Sequence, residues 1–142
     1  MTRMGELREY KKGMTGEILY RDLSYQIMQA VFEVHNMLGP GFLESLYEVA
    51  LAHELALRHI PFERQKEIAV TYKGKLIGTH RLDLLVDKKI ILELKAVTEL
   101  TDIFKQQTLS YLKATNLQLG ILINFGTPRV QYLRIANSLK EK

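Results

Sequence analysis

The segment Ile90-Ile91-Leu92-Glu93-Leu94-Lys95-Ala96 restricts the fold of this chain more than any other. Alternate residues of a strand point to opposite faces. Ile90, Leu92, Leu94 and Ala96 therefore enter a core, while Glu93 and Lys95 share the other face. Just upstream, Arg81-Leu82-Asp83-Leu84-Leu85-Val86 is a second apolar strand with a carboxylate inside it. The intervening Asp87-Lys88-Lys89 reads as a tight turn, so the two strands are neighbours and Asp83 falls close to Glu93.

The rest of the chain supplies a setting for this pair. Asp22 or Ser24 is a candidate helix cap, and Ile27, Val31, Val34 and Leu38 follow at helical spacing until Gly39-Pro40-Gly41 stops the helix. A second helix is expected from about Phe42 to His59, with Leu43, Leu46, Ala50 and Leu57 as its apolar positions and Ile60-Pro61 as its end. The period then changes from near four to two. Glu67–Lys73 and Lys75–Val86 form a hairpin around Lys73-Gly74-Lys75. A helix over Thr98–Ala114, capped by Thr101, separates the third strand from a buried strand at Leu117–Asn124. The turn Phe125-Gly126-Thr127-Pro128 leads to a last strand at Arg129–Ile135. The order α-α-β-β-β-α-β-β predicts an α/β fold with a mixed sheet, its third and fourth strands parallel across the helix. Residues 1–20 read as a partly flexible N-terminal arm, 21–136 as one domain and 137–142 as a polar tail.

Composition narrows the chemistry. The 142 residues include no cysteine, so a metal would be held by oxygen or imidazole, which favours Mg²⁺ or Mn²⁺ over structural zinc. The net charge of +4 is compatible with a polyanionic partner. No apolar run reaches the ~20 residues needed to cross a bilayer, and the polar start lacks the apolar middle of a signal peptide, which predicts a cytoplasmic protein without a membrane partner.

Two carboxylates and an ammonium set into apolar strands cost several kcal/mol unless paired or bound to a metal. A divalent cation would relieve the repulsion between Asp83 and Glu93, polarise a phosphate and activate water, with Lys95 beside it. The alternative is a solvated sheet face on which Glu93–Lys95 and Asp83–Arg81 form weak surface pairs, and spacing alone leaves both readings open. His35 and His53 read as surface or satisfied core histidines, and Tyr47 as a packing residue with a polar tip.

Asp83 followed by Glu93-Leu94-Lys95 resembles the D…(D/E)xK signature of the PD-(D/E)XK nuclease superfamily. Gln107-Thr108-Leu109-Ser110-Tyr111 is similar to the QxxxY motif of its RecB-like and lambda-exonuclease-like branches. Gly41-Phe42-Leu43-Glu44-Ser45-Leu46-Tyr47 resembles the motif that names the GxxExxY family, a bacterial and archaeal group in the same superfamily. Arg64-Gln65, Tyr72-Lys73-Gly74 and Ile123-Asn124-Phe125-Gly126 agree with it, and the resemblance spans about Leu23 to Arg134.

The resemblance implies a restriction-endonuclease-like core and a metal-dependent nuclease that hydrolyses phosphodiester bonds in DNA, ahead of RNA. It implies Asp83, Glu93, Glu44 and the backbone carbonyl of Leu94 as ligands of Mg²⁺ or Mn²⁺. Lys95, Gln107 and Glu44 would be the catalytic set, and Tyr111 and Arg81 would contact substrate. Lys73, Lys75, Lys88 and Lys89 crowd strand ends, where a nucleic-acid backbone could be steered. Paired active sites in the superfamily admit a homodimer. One departure is Phe104, which stands where the family pattern has a histidine three residues before the motif glutamine. A nuclease-like module that binds nucleic acid or assembles with protein, with little or no turnover, is the competing function, and a structural dimer is a third.

Overall fold

The computed structural model describes residues 9–10 and 18–137 of the chain. Most of the expected arm (1–20) and tail (137–142) lie outside them. The elements are β1 (Glu9–Tyr10), α1 (Arg21–Leu38), α2 (Glu44–Leu57), β2 (Phe62–Tyr72), β3 (Lys75–Val86), β4 (Ile90–Lys95), α3 (Asp102–Thr115), β5 (Leu119–Asn124) and β6 (Gln131–Ala136). After the two-residue β1, the order is the one the sequence predicts. The sheet runs β1-β6-β5-β4-β3-β2. β4 and β5 are parallel, with α3 as their crossover, and β2–β3, β3–β4 and β5–β6 are antiparallel.

Helices cover both faces. On one, Ile27, Val31 and Val34 of α1 and Tyr47, Leu51 and Leu55 of α2 pack over Leu84, Leu92, Leu94, Ile121 and Ile123. On the other, Leu112 of α3 packs over Leu82, Leu85, Ile91, Leu122 and Leu133. This double cover accounts for the continuous aliphatic runs of β4 and β5, which a sheet half-open to water would not need.

Several local expectations are corrected. Neither Asp22 nor Ser24 caps α1: the N-cap is Tyr20, in the left-handed region at φ 52°, without a side-chain cap. Ser24 lies inside the first turn. Its hydroxyl donates to the Tyr20 carbonyl at 2.8 Å and accepts from the buried Arg134 guanidinium at 2.7 Å. Thr101 is the N-cap of α3, again without a side-chain bond. In α2 the buried positions are Tyr47, Glu48, Leu51, Ala52 and Leu55, whereas Leu43, Leu46 and Leu57 are exposed and Ala50 half-buried. The helix carries apolar residues on both faces, and only its partners decide which face is covered. β2 starts at Phe62 rather than Glu67, because its ladder with β3 continues to Phe62↔Val86 beneath charged side chains that hide it from a period-two reading.

The stop after α1 behaves as expected. Gly39 has φ 69° and returns its N–H to the His35 carbonyl, and Gly41 has φ 116°, which favours glycine. Gly126 is constrained by space: a Cβ there would lie 2.5 Å from the Val97 carbonyl oxygen and 2.6 Å from its nitrogen. The same strand-end segment is tied by Asn124. Its side chain accepts from the Val97 and Gly126 N–H groups and donates to the Val97 carbonyl. Gly126→Ala must push backbone against backbone, and we expect it to cost about 3 kcal/mol. Urea unfolding should give a lower midpoint at unchanged slope; a midpoint equal to wild type would contradict the close approach.

Candidate active centre

The centre forms where β3 separates from β4. The two strands pair only through Leu84↔Leu92, Leu85↔Ile91 and Val86↔Ile90. Beyond Leu84, Asp83 takes over as a hydrogen-bonding group: its Oδ2 accepts the Leu94 N–H at 2.8 Å. Its own N–H points at Glu93 Oε2 from 3.4 Å, a long contact. The other side of β3 is irregular at the same level. Arg64↔Leu84 and Lys66↔Leu82 are paired, but Gln65, at φ 53°, and Asp83 between them are not. The alternation of faces resets here: Leu82 belongs to the core under α3 and Leu84 to the core under α1 and α2.

The carboxylates are costly to ionise in this position. Glu93 is only 6% exposed, and its pKa is pushed up to about 8, first by burial and next by the Asp83 charge. Asp83 is pushed up to about 6, again first by burial, with Glu48 and Glu44 adding to the rise while the Leu94 N–H and Lys95 oppose it. Lys95 is half-buried and follows Glu93 on the same face of β4. Its ammonium lies 4.6 Å from the centre of the Phe104 ring, a cation–π contact.

Other residues predicted from sequence divide into two groups. Glu44 opens α2 and is exposed. Partial desolvation raises its pKa, Lys95 lowers it and Glu48 raises it, so it shares the field of the centre. Tyr111 on α3 also lies in that field: burial raises its pKa first, then the charges of Glu93 and Asp83. Leu94 is fully buried. Arg81 is exposed opposite Glu67 on the edge strand, and Gln107 is exposed on α3. Among the described residues, no hydrogen bond ties Arg81 or Gln107 to the carboxylates. Tyr47 is a packing residue: its ring stacks on Phe125 at 4.6 Å, and its hydroxyl donates to the Gly39 carbonyl and accepts the Phe42 N–H. It thereby fixes the loop that presents Glu44. His35 is a satisfied core histidine, bonded to the Thr127 carbonyl at 3.0 Å, and His53 is exposed.

Sequence reasoning missed Glu48 and His80. Glu48 is buried one turn beyond Glu44, and it acts on both Asp83 and Glu44. Its two oxygens accept from Gln65 Nε2 at 2.9 and 3.0 Å, and Oε2 also meets Arg64 at 3.1 Å. The spacing from Glu44 was a usable signal, since residues four apart share a helix face. His80 stacks on Tyr111 with ring centres 3.8 Å apart, and its Nε2 is the buried side-chain polar atom left without a partner among the described residues. Nothing in the sequence around His80 marked it. A groove of about 530 Å³ lined by Pro61, Phe62, Lys66, Leu85 and Lys88 contains none of the predicted site residues.

Residues 21–135 match the family model of the PD-(D/E)XK nuclease superfamily. The chain belongs to that superfamily. Among solved structures it resembles the crystal structure of SSO0001, with a TM-score of 0.55 and 22% identity over 85% of this chain, a likeness of fold. The match covers 59% of the SSO0001 chain. No curated protein matches the chain. PD-(D/E)XK nucleases generally use divalent metals, and the donors present fit a hard cation in kind: they are all oxygens, with two carboxylates that repel each other. Among the described residues, no three Asp, Glu, His or Cys side chains group to hold an ion by themselves. Glu48 is engaged by Arg64 and Gln65, and Glu44 is exposed.

The raised carboxyl pKa values fix a sign for metal-free stability. Below about pH 3 both groups are protonated whether folded or not. As the pH rises, the unfolded chain releases these protons first, from ordinary values of 3.8 and 4.5, while the folded chain holds them to about 6 and about 8. Stability contributed by these groups therefore falls between about pH 3 and 8, by up to several kcal/mol in total. With chelator present, thermal unfolding of Glu93→Gln should depend less on pH than that of wild type, and its Tm near pH 8 should be higher. Parallel profiles would refute the assignment.

Proposed function

We propose that this chain is a GxxExxY-type member of the superfamily that hydrolyses phosphodiester bonds in DNA, with RNA as the second substrate class, using Mg²⁺ or Mn²⁺. The observation that carries this reading is the Asp83–Glu93 pair, locked through the Leu94 N–H and set beside Lys95. Asp83 and Glu93 would hold the ion, with the Leu94 carbonyl and Glu44, directly or through water, completing its shell. The bound ion supplies polarisation of the phosphate and activation of water. Lys95 orients the attacking water and offsets the negative charge that develops on the phosphate, in a site partly shielded from solvent. Gln107 would align the water once substrate is in place. Tyr111 would meet a phosphate oxygen through its hydroxyl, and Arg81 would pair with the backbone further along the strand.

A second reading has a specific observation behind it. Phe104 occupies one side of the Lys95 ammonium, and Gln107 and Glu44 stand in solvent, an arrangement that suits a nuclease-like module that binds nucleic acid or protein with weak turnover. A homodimer with paired centres is compatible with either.

Incubation with DNA and RNA, with and without Mn²⁺, separates the two. Cleavage should require metal and fall at least ~100-fold in Lys95→Ala. Equal cleavage by the variant, or none by wild type, sinks the hydrolytic reading. Separately, Mn²⁺ should raise the Tm of wild type by mass action and leave that of Asp83→Asn nearly unchanged; equal responses would remove Asp83 from the ligand set.

A further inference from the structure

The hairpin of β2 and β3 continues well past the body of the protein. Residues 71–79 are all exposed, and they include Tyr72, Leu76 and Ile77, each more than half accessible. The two strands pair with each other to the tip through Thr71↔Leu76 and Tyr72↔Lys75. Lys73 and Gly74 form the turn, at φ 49° and 82°. The last inward support is at His80 and Ile68, which face Tyr111 and the core under α3. A two-stranded ribbon without a third element is marginally stable, so nothing in the body of the fold requires an arm of this length.

The chemistry of the arm limits its partner. Between residues 69 and 79 the only charged side chains are Lys73 and Lys75. Lys73 lies 5.4 Å above the Tyr72 ring, which leaves an aromatic and two cations at one tip. Leu76 and Ile77 add apolar surface behind them. Cations beside an aromatic suit a phosphate backbone and its bases, and the major groove of a B-form duplex admits a two-stranded β-ribbon.

The arm and the centre lie along the same strand. Lys75 and Asp83 share β3, and the strand between them spans about 26 Å at ~3.3 Å per residue. That is about eight base pairs along a duplex.

We infer that the β2–β3 arm is a duplex-DNA-binding ribbon. Lys73 and Lys75 meet phosphates, and Tyr72, Leu76 and Ile77 contact the groove, about eight base pairs from the bond presented to Asp83 and Glu93. This rests on the nucleic-acid part of the proposed function and assigns it a substrate class, duplex DNA longer than that span.

The test is fluorescence anisotropy with a labelled duplex of roughly 20 base pairs in chelator, where cleavage plays no part. Lys73→Gln/Lys75→Gln, at exposed positions, should bind roughly tenfold more weakly, and the slope of log affinity against log salt should fall by about 1.8, roughly 0.9 for each phosphate that is no longer neutralised. Tyr72→Ala should weaken duplex binding without changing that slope. Unchanged affinity and slope in the double-lysine variant overturn the assignment, as does wild type that binds no duplex. Sedimentation that reveals a dimer dissociated by Leu76→Gln, with DNA binding intact, also overturns it and makes the arm a self-association element. Wild type that binds duplex through the arm but does not cleave it with Mn²⁺ leaves the arm in place and sinks only the hydrolytic reading.

Discussion

The hydrogen bond from the Leu94 N–H to the Asp83 carboxylate organises the rest of the centre. A β-ladder normally satisfies such an N–H with a backbone carbonyl. Here a side chain does so, because β3 leaves β4 after Leu84. The bond holds the strand ends at a fixed separation and places one carboxylate beside the next, Glu93. It also lowers the cost of ionising Asp83, while burial and the surrounding acids raise it. The balance leaves both carboxyl groups hard to ionise in the metal-free protein. In a PD-(D/E)XK nuclease, that penalty is relieved when a divalent cation binds.

Much of the remaining structure holds this opening in place. On the β2 side, Gln65 adopts a left-handed backbone conformation and donates to Glu48, which ties the edge strand to α2 next to Glu44. On the β5 side, Asn124 clasps Val97, and Gly126 lets the two backbones touch. Tyr47 joins both halves: its ring lies on Phe125, which follows β5, and its hydroxyl anchors the Gly39–Phe42 loop before α2. Gly41 and Tyr47 thus have a structural explanation, and Glu44 between them is the residue that shares the field of the centre.

Phe104 links the fold to the question of activity. It packs at the margin of the core under α3 and places its ring under the Lys95 ammonium. An aromatic face stabilises the charged lysine without donating or accepting a hydrogen bond. The lysine therefore gains a packing contact from this neighbour but no proton relay. His80 brings an imidazole to the same side of the sheet from β3, its Nε2 without a partner among the described residues.

Asp83, Glu93 and Lys95 were legible in the sequence because charges interrupt strands whose other residues are aliphatic, and period-two alternation fixes which residues share a face. The helix and strand order was legible for the same reason: Gly39-Pro40-Gly41, Ile60-Pro61 and Lys73-Gly74 punctuate clear periodic runs. The superfamily was legible in motifs that sit on those elements. The buried face of α2 was not, because Leu43 and Leu46 are as apolar as Leu51 and Leu55, and only the neighbouring sheet chooses between them. Glu48 and Gln65 were not recognised as partners, since their contact joins a helix to a strand distorted at a single residue. The sequence by itself determined that two carboxylates and a lysine lie together on adjacent strands. The tertiary structure decided that those strands part at Asp83, that Glu48 adds its charge there, and that the lysine rests on Phe104, because these depend on contacts between residues far apart in the chain that no local pattern encodes.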